Sequence, residues 1–161
     1  MRSSVKIVRP PNKLKSKVGF GGFDQNAIVK AQQVIEENDI DFAPIAKRII
    51  DKLRRTVEEA KAESSKDRIY HAVQDYLMQL RAQGAMFGYP SITAITDILV
   101  DFLDTFKEID HTILEIISAY ERAAEVLISS GIDTATDPLC KAVSVELMTV
   151  CQKYAARHKK G

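Results

Sequence analysis

The sequence predicts an all-α fold, an antiparallel bundle of four long helices with additional helices packed at its end. Three observations predict it. Apolar residues recur at spacings of three and four from Asp24 onward, no stretch alternates convincingly at period two, and the helical runs open on residues able to cap them. With 161 residues, 45% apolar content and no Gly/Pro-rich divider in the middle, the chain has material for one domain with its own core.

Residues 1–22 stand apart from that domain. Arg2, Lys6, Arg9, Lys13, Lys15 and Lys17 have no acidic counterpart, and Pro10-Pro11 with Gly19, Gly21 and Gly22 disfavour regular structure, so a flexible basic arm is expected there. It reads either as a solvated tail or as an electrostatic contact for an acidic partner or a phosphate backbone. The helical domain is expected over 23–161. Asp24 caps a helix of about 25 to 38 with Ile28, Ala31, Val34 and Ile35 inside. Asp41 caps the next, Pro44 falls in its first turn where no internal bond is lost, and Ile45, Ile49, Leu53, Val57 and Ala60 form its stripe to about residue 63. Ser65 opens a third helix that ends near Phe87, with Ile69, Val73, Tyr76, Leu80 and Phe87 inward and Leu77 alongside. Pro90 breaks it. Ser91 restarts a strongly apolar helix whose Ile92, Ile95, Ile98, Leu99, Phe102, Leu103 and Phe106 are expected deepest. The fifth follows Asp110 with Ile113, Ile116, Ile117, Tyr120, Ala124 and Leu127, and closes at Gly131 as a left-handed cap. The sixth has Asp137 as cap, Pro138 at its first position, and a stripe of Leu139, Val143, Leu147, Val150 and Tyr154.

Composition excludes several functions. A formal net charge of +1 gives no global attraction to nucleic acid or to an anionic membrane. Charge interrupts every apolar stretch, so neither a membrane span nor a secretory signal is expected. Cys140 and Cys151 lie on roughly one helix face but about 16 Å apart, too far to bridge. Without His or Asp partners at ligand spacing they read as buried thiols of a reducing compartment, and no metal or cofactor is expected. There is no phosphate-cradling GxxxxGK loop, no nucleophile elbow around Ser64-Ser65 and no dinucleotide spacing around Gly19 to Gly22.

One segment carries more information. Residues 78–90 read Met-Gln-Leu-Arg-Ala-Gln-Gly-Ala-Met-Phe-Gly-Tyr-Pro. Met78 lies two positions before the inward Leu80, about 200° around the axis, and should point outward. His71, Gln74, Asp75, Arg81, Ala82 and Ala85 are its surface neighbours at helical spacing. The segment resembles the signature of histidine phosphotransfer (Hpt) domains, in which a helix carries His-x-x-Lys-Gly and a further glycine ten positions after the histidine. Leu80, Gln83 and the run Phe87, Gly88, Tyr89, Pro90 match the pattern, with Gly88 at the expected distance from Met78.

The resemblance implies an Hpt-type bundle, a cytoplasmic address, bacterial two-component signalling, and a response-regulator receiver domain or a histidine kinase as partner. Neither membrane nor nucleic acid is expected as one. Three departures fall on the chemical positions. Arg81 in place of lysine keeps the charge that neutralises the phosphoryl group in the family but presents it as a planar fork. Ala82 in place of glycine adds a methyl where the partner approaches. Met78 replaces the histidine, and a thioether cannot carry phosphate as an imidazole does. The implied function is a pseudo-Hpt module that binds through Met78, Arg81, Ala82, Ala85, Gln74 and Asp75 without transferring phosphate, and so is not an enzyme. Two alternatives stay open. One is phosphotransfer through a displaced His71, about 10 Å along the axis, oriented by Asp75. The other is a structural helical interaction or dimerisation protein, its basic arm on nucleic acid.

Overall fold

The computed structural model describes residues 24–37, 40–62 and 66–158. The basic arm 1–22, the Ser65 cap and the Ile35 side chain lie outside the described residues. The chain divides into two compact units, 1–39 and 40–161. All regular structure among the described residues is helical: α1 Gln25–Glu37, α2 Phe42–Ala62, α3 Lys66–Met86, α4 Pro90–Thr105, α5 His111–Ser129 and α6 Pro138–His158. No helix among these residues is long and apolar enough to cross a membrane.

The caps follow from side-chain chemistry. Carboxylate oxygens of Asp24, Asp41, Asp110 and Asp137 accept the N–H groups of Asn26, Ala43, Ile113 and Leu139 at 2.8–3.0 Å, satisfying donors that a helix start leaves without an internal acceptor. Gly88 (φ 73°) and Gly131 (φ 65°) end α3 and α5 in the left-handed region. After each, the next N–H returns to the helix, Tyr89 to the Gly84 carbonyl at 2.7 Å and Ile132 to the Leu127 carbonyl at 2.9 Å, the Schellman closure.

In the second unit the helices α2, α3, α4 and α5 form a closed ring of contacts, α2 on α3, α3 on α4, α4 on α5 and α5 on α2, while α6 lies against α4 and α5. Cross-links give the directions. Phe42 meets Phe87 and Tyr89, Arg54 meets Glu125 and Lys61 meets Glu115, and Arg81 meets Asp97 while Gln74 meets Asp104. Each pair runs antiparallel. The core is Ile49, Leu53, Val57, Val73, Leu77, Leu80, Ile92, Ile95, Leu99, Leu103 and the whole predicted stripe of α5. Inside it the Tyr120 hydroxyl and Thr96 Oγ1 share a hydrogen bond of 2.6 Å, so neither buried polar group lacks a partner.

Several expectations are corrected. Ile28 and Val34, assigned to the inner stripe of α1, are 43% and 56% exposed, and Ala31 is exposed too; α1 is the one described helix of its unit. Ile98 and Phe106 are partly rather than fully buried. The helix expected to restart at Ser91 begins at Pro90, whose missing N–H costs nothing at that position. Ser91 is buried instead, and staples the α5–α6 connection: its N–H donates to the Asp133 carbonyl and its Oγ to the Ile132 carbonyl. In α6 the buried face is Cys140, Leu147, Cys151 and Tyr154, whereas Leu139 and Val150 are 41% and 39% exposed. Both cysteines are free, and burial pushes the Cys151 thiol up to about 11.

Candidate functional site

The motif segment lies on α3 and the turn into α4. Leu80 is fully buried with Val73 and Leu77, which fixes the rotation of the helix and turns the residues between them outward. Met78 is accordingly 47% exposed. Ala82, Ala85, Arg81, Asp75 and His71 are exposed beside it, and Gln74 is half-buried. Met86 follows at the helix end, 77% exposed.

The remaining motif residues hold the turn. Phe87 stacks on Phe42 at 5.8 Å and Tyr89 packs on the same ring at 4.8 Å, tying the turn to α2. Gly88 supplies the left-handed residue and Pro90 opens α4. Gln83 is half-buried with its Oε1 oxygen enclosed and without a hydrogen bond. Gly84 sets the spacing of the two helices, since a Cβ there would stand 3.1 Å from Thr93 Oγ1 and 3.2 Å from the Tyr89 carbonyl. That close approach brings Thr93 Oγ1 to the Arg81 carbonyl, to which it donates at 3.2 Å.

Sequence reasoning missed what α4 places next to Met78. Asp97, Asp101 and Asp104 repeat at four and three, so they share one face of that helix. Arg81 Nε lies 2.6 Å from Asp97 Oδ1, an ion pair without the alignment of a hydrogen bond. Gln74 donates to Asp104 at 3.1 Å and to the Tyr70 hydroxyl at 3.1 Å, and that hydroxyl donates to the Leu103 carbonyl. Met78 thus sits between two α3–α4 cross-links, an apolar side chain with a carboxylate rim. Arg81 keeps its positive charge, and Asp97 is paired with it. The acidic face itself was signalled in the sequence by three aspartates at helical spacing, whereas the partner each one meets depends on how α3 and α4 lie side by side.

His71 is exposed on α3, two turns before Met78. Its ring meets the edge of the Tyr70 ring at 5.6 Å, and among the described residues no hydrogen bond or ion pair joins it to Asp75. His111 is exposed in the first turn of α5, and His158 stacks on Tyr154 at 3.9 Å. Among the described residues, no group of three or more His, Cys, Asp or Glu side chains could hold a metal ion. Comparison with protein-family models, with curated proteins and with solved structures finds no match.

Proposed function

We propose that this chain is a pseudo-Hpt binding module, whose α3 face around Met78 holds a response-regulator receiver domain or a histidine kinase and modulates a phosphorelay by occupancy. Two features support this. The segment 78–90 resembles the Hpt signature everywhere except at the chemical positions, and the residue in the acceptor position is exposed on a helix whose fold is otherwise intact. The exposed placement of Met78 carries the proposal. A thioether flanked by Ala82 and Ala85 is an apolar contact without a nucleophile, and Arg81 is engaged by Asp97 rather than poised for a phosphoryl group. Asp101 and Asp104 add an acidic rim, so the partner face that fits has an apolar centre bordered by Lys or Arg.

The test is a receiver and kinase binding panel with the purified chain, read by calorimetry, beside a search for acid-labile phosphate after incubation with phosphorylated receivers. Binding without label is expected, and Met78→Glu is expected to weaken it about tenfold or more, as loss of an interface centre does. Label that His71→Ala removes would replace the proposal with displaced phosphotransfer. Binding indifferent to both Met78→Glu and Ala85→Arg would refute the assignment of this face.

A further inference from the structure

We infer that the chain forms a two-fold homodimer through the groove between α5 and α6. The groove has a volume of about 330 Å³ and is lined by Ala119, Ala123, Ala142, Val143, Leu147 and Val150, with Glu146 as its single charged residue. Alanines on both walls let a third helix approach closely, as small residues do wherever helices pack at short distance.

The case begins with α6 itself. Cys140, Leu147, Cys151 and Tyr154 face the core, yet Leu139, Val145, Met148 and Val150 are 39–56% exposed, so apolar residues surround most of the helix. A helix apolar on several sides is normally covered on several sides. Among the described helices, α6 touches only α4 and α5. Leu139 and Val150, the residues that the apolar period assigns to a buried stripe, lie on the uncovered side together with Val126 of α5, which is 46% exposed.

Charge selects the occupant. Glu146 sits among alanines and valines, and among the described residues neither it nor Lys153, seven positions on and thus two helical turns along the same face, has an ion-pair partner. Two α6 helices laid antiparallel with Glu146 opposite Lys153 of the second copy place Val150 beside Thr149 at the axis and Ala142 beside Arg157. The two-fold makes this ion pair twice. A register centred on Glu146 would instead oppose two carboxylates in an apolar groove, which disfavours it. The α5 and α6 of each copy, each helix about 30 Å long and about 10 Å wide, together offer on the order of 600 Å² per partner, near the roughly 800 Å² of stable interfaces. Met78 stands clear of this surface, because α3 packs on α2 and α4 and has no contact with α5 or α6. The dimer would therefore present two Met78 faces, but the inference does not depend on what they bind.

Sedimentation velocity of the full chain over a concentration series is expected to show a monomer–dimer equilibrium reaching twice the 18.0 kDa chain mass. Val150→Asp is expected to raise the dissociation constant by about tenfold or more, with helix content by circular dichroism unchanged because the side chain is partly exposed already. Glu146→Lys alone weakens the dimer, and Glu146→Lys with Lys153→Glu restores it to within about threefold, since the swapped charges meet again across the axis. A monomer at every concentration overturns the inference and leaves the groove to a different protein. So does a dimer insensitive to Val150→Asp, or a double swap that fails to restore association.

Discussion

A single side chain decides whether the α3 face can do chemistry, and its neighbours decide whether restoring that side chain would suffice. Met78→His returns an imidazole to an exposed position, but the cation three residues on, Arg81, lies 2.6 Å from Asp97 and has its charge already compensated. Met78→His alone is therefore expected to accept little phosphate from a phosphorylated receiver. Met78→His with Asp97→Asn, which frees the guanidinium, is expected to accept about tenfold more, the factor that corresponds to roughly 1.4 kcal/mol of added charge stabilisation. Acid-labile label counted after equal incubation checks both, and equal label in the two variants would show that Arg81 plays no part. The outward direction of Met78 was legible because Leu80, two residues on, had to be buried. The occupation of Arg81 was not, because it depends on how α3 and α4 lie side by side. That register is set by the Gly84 contact with Thr93 and Tyr89 and by no periodicity within α3 alone.

At the level of elements, starts and stops were easier to read than faces. Four aspartates accept N–H groups where a cap was expected, and Gly131 takes the left-handed conformation, because capping uses atoms within a few residues along the chain. In the stripe of α6, Leu147 and Tyr154 are buried and Val143 packs on the core, but Leu139 and Val150 are exposed, for a physical reason: apolar residues surround the helix, so a sequence period cannot say which of them meet α4 and α5. Every residue assigned to the stripe of α5 is buried, with charged residues such as Glu115 and Arg122 marking part of its outer side. Asp110 shows what one cap contributes beyond its own helix. One carboxylate oxygen caps α5 through the Ile113 N–H at 2.8 Å, and the other accepts the Tyr154 hydroxyl of α6 at 2.9 Å. Burial, and then this hydrogen bond, push the Tyr154 phenol up to about 12, so it stays a donor throughout the neutral range. Asp110→Ala removes the cap and leaves the phenol without its acceptor, and should cost about 1–3 kcal/mol. Tyr154→Phe removes only the second contact, and about 1 kcal/mol is expected. Urea unfolding of the two variants measures the difference; equal losses would mean that the cap itself contributes nothing.

For the molecule as a whole, the pH dependence of folding is tied to one carboxyl group between α2 and α5. Glu121 is 3% exposed, its Oε1 has no hydrogen bond, and its other oxygen is 3.7 Å from Arg54 Nε. Arg54 is shared, since it also contacts Glu125 at 2.8 Å and Asp51 at 3.3 Å. Burial therefore outweighs the attraction of Arg54 and Lys61 and raises the Glu121 carboxyl from 4.5 to about 7. Across that window the folded chain holds a proton that the unfolded chain has released, so stability falls as pH rises. The contribution is complete below 4.5 and gone once the pH passes about 7. Glu115 works in the opposite sense, because its hydrogen bond to Lys61 lowers its carboxyl. The stability it adds disappears only as pH falls below 4.5, outside the Glu121 window. The wild-type chain should lose on the order of 2 kcal/mol between pH 4.5 and about 7. Glu121→Gln keeps the shape, removes the titration and should flatten the profile over that interval, making the variant more stable than the parent at neutral pH and above. Urea unfolding at several pH values in one buffer of constant ionic strength gives both curves. A decline that persists unchanged in Glu121→Gln would mean that water reaches this carboxyl and that α2 and α5 pack less tightly than their shared Arg54 contacts require.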